Sequence, residues 1–231
     1  MIWAVVPAAG SGLRMRADRP KQYLPLAGKT VIQHSIERLL SNQNIRGVVV
    51  AVAAEDGWWP HLQWSAGDRI HRVEGGAERS DSVCNALQWL SGTADDQDWV
   101  LVHDAARPCL RAADLQSLIE SLQEDAVGGI LAAPVSDTIK RADAKQKIAE
   151  TVDRSVLWRA LTPQMFRLGV LRAALEQIKA DGVAVTDDAE AVEYLKLQPC
   201  LIEGAVTNIK VTHPGDLLLA EEIILRELEE R

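Results

Sequence analysis

Cysteine is scarce in this chain and shows no paired spacing. The 231 residues include three, Cys84, Cys109 and Cys200, an odd number with no C-x-x-C spacing. That excludes a disulfide frame and a zinc ribbon, and it reads as the reduced thiols of a cytoplasmic protein. Basic residues are also short, with 25 Lys and Arg against 33 Asp and Glu, a formal net charge of −8. So acidic a chain argues against a nucleic-acid-binding face, and any anion site has to be local. No apolar run approaches membrane-spanning length, and the first strand is expected from residue 2, which leaves no room for a signal peptide. Two glycine fingerprints are missing as well. Gly10-Ser11-Gly12 runs into Leu13-Arg14-Met15 without the third glycine of G-x-G-x-x-G, and no G-x-x-x-x-G-K-S/T occurs. A dehydrogenase and a P-loop enzyme both lose their signature.

What is present is enough apolar residue, 47% of the chain, for one large core. Strand-like and helix-like patterns alternate. Ile2–Val6 and Val48–Val52 are continuous apolar runs, as expected of strands covered on both faces. Further strands are expected at Ile70–Val73, Trp99–Val102, Gly129–Ala133 and Cys200–Glu203, with another piece near Asn208–Val211. Helices are expected at Thr30–Leu40, Ser80–Leu90, Asp114–Leu122, 168–180, 187–196 and from Pro214 onward. Residues 56–66, with Trp58, Trp59 and Trp64 around Pro60, read as a short helix and loop whose tryptophans pack in a core or an interface. Thr138–Arg141 and Ile148–Val152 flank a polar turn and read as a projecting β-hairpin arm. The expectation is a single α/β domain over residues 1–231, a mostly parallel twisted sheet with helices on both faces, with an arm at about 135–157 and ligands at the carboxyl ends of the strands.

Three stretches carry chemistry. After the first strand come Pro7-Ala8-Ala9-Gly10-Ser11-Gly12, then Arg14, Arg16, Arg19 and Lys21 against one acid, Asp18. Small residues let backbone N–H groups approach phosphates, and the cations supply charge. Gly75-Gly76-Ala77-Glu78-Arg79-Ser80-Asp81-Ser82 has paired glycines as backbone donors, Ser80 or Asp81 as a helix cap, and Ser82 as a donor to a base or phosphate. His103-Asp104-Ala105-Ala106-Arg107 follows a buried strand. There Asp104 could hold Mg²⁺ or a hydroxyl, Arg107 could grip a phosphate, and His103 reads as structural rather than as a base. Thr138, Lys140, Asp153-Arg154, Thr162-Pro163-Gln164, Thr186-Asp187-Asp188 and Asn208-Ile209-Lys210-Val211-Thr212 are not specific by themselves.

Read in order, PAAGSGLRM, PKQYL, GGAERSDSV, VLVHDAARPC, DTIKR, VDR with LWRALTPQMF, TDDAEA and NIKVTHPGDL closely resemble the bacterial 2-C-methyl-D-erythritol 4-phosphate cytidylyltransferases of the non-mevalonate isoprenoid pathway. The resemblance spans Pro7 to Leu217. It implies a Rossmann-like nucleotidyltransferase fold with a β-arm, and CTP as co-substrate. It also implies Mg²⁺ or another divalent cation held mainly by the CTP phosphates, with no metal ligand from the protein. A homodimer follows too, with each arm reaching its partner's site. By the same resemblance, Ala8, Ala9, Gly10, Gly12 and Lys21 belong to the CTP loop, and Gly76, Glu78, Arg79 and Ser82 to the cytosine and ribose segment. Arg14 and Lys21 stabilise the transition state. Asp104, Ala105, Arg107, Thr138, Thr162, Thr186 and Lys210 surround the acceptor, whose phosphate Arg154 and Lys210 position. Thr138 and Arg154 would come from the partner chain. A ribitol 5-phosphate cytidylyltransferase, another nucleotidyltransferase, or a CTP-binding protein without activity are the alternatives.

Overall fold

The computed structural model describes residues 1–10, Met15 and 18–229. Seven strands form the main sheet: β1 (Ile2–Pro7), β4 (Ile45–Val52), β5 (Ile70–Glu74), β6 (Trp99–Val102), β7 (Gly128–Pro134), β10 (Trp158–Arg167) and β11 (Cys200–Glu203). Their order is β11-β7-β10-β6-β1-β4-β5. All neighbouring pairs are parallel except those of β10, which runs antiparallel to β6 and to β7. Two short strands, β2 (Pro25–Leu26) and β3 (Lys29–Thr30), pair beside the sheet, and β8 (Ile139–Ala142) with β9 (Ile148–Val152) makes the arm. The helices are α1 (Val31–Leu40), α2 (Arg79–Leu90), α3 (Ala112–Leu122), α4 (Leu168–Ala180), α5 (Asp188–Tyr194) and α6 (Pro214–Glu229).

The continuous apolar strands are explained by layering. Successive side chains of a strand point to opposite faces. Ala4 and Val6 pack into one cluster with Ile32, Ile36 and Leu39 of α1 and Leu115, Leu118 and Ile119 of α3. Trp3 and Val5 pack into another with Val83, Leu87 and Leu90 of α2 and Leu171 and Leu175 of α4. Both faces of β1 are therefore dry, and alternation disappears from its sequence. A third cluster joins Leu24, Leu26, Ala106 and Val211 to Ala220 and Ile224 of α6.

Two expectations differ from the structure. β10 has no strand signal in the sequence, because Pro163 interrupts the stretch and no alternation is visible. The structure removes that obstacle: Leu161, Thr162 and Pro163 fall outside both ladders, which hold Trp158–Ala160 and Gln164–Arg167 instead, so the proline ring displaces no sheet hydrogen bond. Conversely, Asn208–Val211 forms no strand. It is tied down by single bonds, Val211 N–H to Ala106 O at 2.8 Å and Asn208 Nδ2 to Thr162 O at 2.7 Å.

Candidate active site

The chain leaves β1 for β4 and β5 on one side, then crosses back to β6 on the other. This reversal opens a crevice at the carboxyl ends of the strands, where open α/β sheets bind ligands. A cavity of about 520 Å³ sits there, lined by Ala8, Ala9 and Gly10 after β1, Lys21, the Gly76–Arg79 segment after β5, Ser82, Asp104 and Ala105 after β6, and Lys210. That volume lies within the ordinary range for small-molecule sites.

Its floor is one carboxylate under three cations. Asp104 is 7% exposed. Its Oδ1 faces Arg79 Nε at 3.3 Å, and its Oδ2 faces Arg107 Nε at 3.3 Å and Lys210 Nζ at 2.9 Å. Burial works to raise this carboxyl, but Arg79, Lys210 and Arg107 together hold it far below the usual carboxylate range. Arg79 also reaches Asp188 Oδ2 at 2.7 Å. Burial pushes the Asp188 carboxyl up, opposed by Arg79. Asp188 is itself set by Gln164, whose Oε1 accepts from the Asp188 and Ala189 N–H groups at 3.0 and 2.9 Å.

The sequence allows Asp104 as a metal ligand, and the fold argues otherwise. Among the described residues no three His, Cys, Asp or Glu side chains converge as a metal cage. With both Asp104 oxygens engaged by cations, the described residues offer no fit for a resident Mg²⁺.

His103 lies behind this floor, fully buried. Its Nε2 meets Arg107 O at 3.0 Å and its Nδ1 meets Thr162 Oγ1 at 2.9 Å. Burial lowers its pKa to about 4. Both ring nitrogens are spoken for and the ring does not line the cavity, so its role is structural. Thr162 in turn accepts from Asp104 N–H at 3.1 Å, beneath the floor and not on it.

The glycine pair acts differently from expectation. A Cβ on Gly75 would stand 2.4 Å from Ala9 Cβ, and one on Gly76 would stand 2.2 Å from Asp81 Cβ. Gly75 therefore permits close packing of the β5–α2 turn against the β1 loop, and Gly76 lets that turn close onto the first turn of α2. Their N–H groups are used internally, Gly75 to Val52 O at 2.7 Å and Gly76 to Ser82 Oγ at 3.1 Å. The Ser82 hydroxyl donates to Glu78 O at 3.2 Å, so it braces the turn instead of offering its proton to a ligand. The helix cap is Glu78, not Ser80, and the Asp81 carboxylate accepts from the Glu78 N–H at 3.3 Å.

Lys21 begins a 3₁₀ turn, Lys21–Tyr23, and its Nζ donates to Val211 O at 2.8 Å. Arg14 and Gly12 lie outside the described residues. Arg107 is beside the cavity, donating from Nη1 to Asn208 O at 2.7 Å. Thr186 is exposed and bonded to Glu190 Oε2, from its N–H at 2.6 Å and its Oγ1 at 2.9 Å. Thr138 and Arg154 sit on the exposed arm, outside the cavity, with Arg154 donating to the Ser136 carbonyl. Sequence reasoning missed Gln22 and Asp188. Gln22 Nε2 holds Ala8 O at 2.8 Å and Gly10 O at 3.1 Å, shaping the loop. Its place next to Lys21 was the available signal. Asp188 stands in a stretch that is not specific by itself, and its burial is visible only in the fold.

Comparison with known proteins gives a single direction. The family model described as 2-C-methyl-D-erythritol 4-phosphate cytidylyltransferase matches residues 2–227. A protein of that description from Pseudomonas putida (strain W619) is 55% identical over 216 residues, 93% of this chain and 92% of that protein. Another from Vibrio vulnificus (strain CMCP6) is 54% identical over 228 residues, 99% of this chain and 96% of that one. Among solved structures, the Francisella tularensis 2-C-methyl-D-erythritol 4-phosphate cytidylyltransferase superposes with a TM-score of 0.83 at 34% identity, covering 96% of this chain and 99% of its own. The structure of the protein of that name from Thermus thermophilus gives 0.77 at 29%, covering 95% and 97%.

Proposed function

The chain belongs to the 2-C-methyl-D-erythritol 4-phosphate cytidylyltransferase family and transfers CMP from CTP to 2-C-methyl-D-erythritol 4-phosphate, and we propose that it does so by in-line attack within the cavity above Asp104. The observation that carries this reading is the meeting of Lys21, Arg79 and Lys210 around that one cavity, at the sheet's switch point, in a chain of net negative charge.

An acceptor phosphate oxygen attacks the α-phosphorus of CTP. The new O–P bond forms as the bond from the α-phosphorus to the bridging oxygen of the β-phosphate breaks, and pyrophosphate leaves with that electron pair. A phosphate monoester has a second pKa of about 6, so the nucleophile arrives largely deprotonated and no general base is needed. This agrees with the buried, doubly bonded His103. The task is electrostatic: bring two anions together and stabilise charge as it moves onto the leaving group. Lys21 serves it from the β1 side, and Arg14 joins it by its place in the motif. Lys210, anchored on Asp104, faces the acceptor phosphate. Small residues Ala8, Ala9 and Gly10 leave room for the triphosphate, and carbonyls near Gly75–Ala77 accept from the cytosine amine. A divalent cation enters on the CTP phosphates, as part of the substrate.

Thr138 and Arg154 complete the site of a second copy in a homodimer. In support, the arm is exposed in the single chain, with Ile148 69% and Val156 75% accessible. Free Cys84, Cys109 and Cys200 suit a reducing cytoplasm.

Steady-state pyrophosphate release tests the reading with CTP, Mg²⁺ and either 2-C-methyl-D-erythritol 4-phosphate or ribitol 5-phosphate. Turnover is expected with the first acceptor, and faster turnover with the second would reverse the assignment. Lys21→Ala is expected to cut kcat by roughly 10²–10³, as for one preorganised charge donor. Near-normal turnover would remove Lys21 from the mechanism.

A further inference from the structure

The β4–β5 connection holds an aromatic cluster that the reaction above does not use. The Trp58 ring stacks on Tyr23, with centroids 6.4 Å apart and planes 23° from parallel. The Arg19 guanidinium carbon lies 4.6 Å from the Trp58 ring centroid. Tyr23 is 2% exposed, and its hydroxyl donates to Asp56 Oδ2 at 2.7 Å. Asp56 Oδ1 accepts from the Trp58 and Trp59 N–H groups, each at 2.9 Å. One carboxylate therefore fixes both partners of the stack.

Those contacts bracket Lys21. Arg19 precedes it by two residues, and the intervening Pro20 has a ring-locked φ of −59°. Tyr23 ends the three-residue 3₁₀ turn that Lys21 begins. So short a turn has little stability of its own and takes its position from what it touches. Trp58 touches both sides. It is 37% exposed and, among the described residues, belongs to none of the hydrophobic clusters, whereas its neighbours Trp59 and Trp64 pack against the core with ring centroids 5.3 Å apart. The three tryptophans thus divide into two that pack and one that clasps.

We infer that Trp58 is a positioning residue for nucleotidyl transfer: its indole holds Arg19 and Tyr23, and through them sets where Lys21 meets the CTP phosphates. This rests on the assignment of Lys21 above. A charge donor acts only within narrow geometry, so a small shift of the turn is felt in turnover.

The test is steady-state kinetics at varied CTP for Trp58→Ala, Trp58→Phe, Arg19→Ala and the Arg19→Ala/Trp58→Ala double variant, with Lys21→Ala alongside and thermal melting of each. Trp58→Ala is expected to lose about three- to tenfold in kcat/KM for CTP with an unchanged melting temperature. Trp58→Phe, which keeps an aromatic face, recovers most of that loss. The double variant is no worse than Trp58→Ala alone, because one contact is removed twice. Should Trp58→Ala melt early, Arg19→Ala carries the test and is expected to lose more than about twofold, though less than Trp58→Ala, because the stack of Trp58 on Tyr23 remains. The inference is overturned if Lys21→Ala is inactive while Trp58→Ala and Arg19→Ala stay within about twofold of wild type, or if the two losses multiply. An active Lys21→Ala instead overturns the assignment of Lys21, and this inference with it.

Discussion

His103 shows how much a single buried side chain can commit the molecule. Its folded pKa is lowered to about 4, and its ordinary value is 6.5. Between those values the unfolded chain binds a proton that the native state refuses. Stability from this group is therefore complete above about pH 6.5 and is lost as pH falls toward 4. From about pH 7.5 to about pH 4.5 the loss is about 2–3 kcal/mol. Asp104, held far below the usual carboxylate range, works in the same sense as His103, but its unfolded carboxyl takes up its proton mostly below that window, so it adds little to the change. Asp188, raised by burial, works in the opposite sense, since the folded state takes up its proton first. Urea unfolding of wild type and His103→Gln at both pH values separates the terms. The pH-dependent loss is expected to be smaller in the variant by about that amount, and equal losses would show that the ring titrates normally. Asp104 itself was legible as a residue of interest, since an acid directly after a buried apolar strand lies at the ligand-binding edge. Its job was not. Only the fold brings Arg79, Arg107 and Lys210 to it and turns a potential metal ligand into an anchor for cations.

At the scale of elements, the arm and β10 make opposite points. The arm was readable because two short β-like pieces flank Asp143–Lys147, and local turn chemistry marks a hairpin. Asp143 Oδ1 accepts from the Lys145 and Lys147 N–H groups, each at 2.9 Å. β10 was hidden because its pairing is entirely long-range and its proline lies in a break of its ladder with β7, before its ladder with β6 begins. The arm also carries the prediction that belongs to this scale. If Arg154 acts in a partner's site, two inactive chains, Arg154→Ala and Lys21→Ala, complement each other in a mixed dimer. Equal mixing with subunit exchange is expected to restore about a quarter of wild-type activity, because half the dimers are mixed and each keeps one intact site. No recovery after verified exchange would place Arg154 in its own chain's site or in none.

For the whole molecule, the order of strands matters more than their number. The crossing from β5 back to β6 puts the β1, β5 and β6 loops on one rim, and α6 clamps the returning segment there through Val211, Ala220 and Ile224. Lys210 and Lys21 thereby line one cavity, and the bond from Lys21 Nζ to Val211 O closes a span of 190 residues. Because Arg79, Arg107 and Lys210 already neutralise the buried Asp104, the fold is expected to stand without a bound cation. Differential scanning fluorimetry then shows no change in apo melting temperature on adding EDTA, and a rise on adding CTP with Mg²⁺ by mass action. A drop with EDTA alone would reveal a structural ion.

By itself the sequence determined the alternation of strand and helix, the loop motifs and the family, because apolar runs, glycines and fixed cations are local signals. The tertiary structure decided which charges are buried, which donors are already used and which side chains share a cavity. Those outcomes depend on desolvation and on contacts between residues far apart in the chain. The clasp around Trp58 belongs to the second kind: its residues are plain in the sequence, and their meeting is a property of the fold.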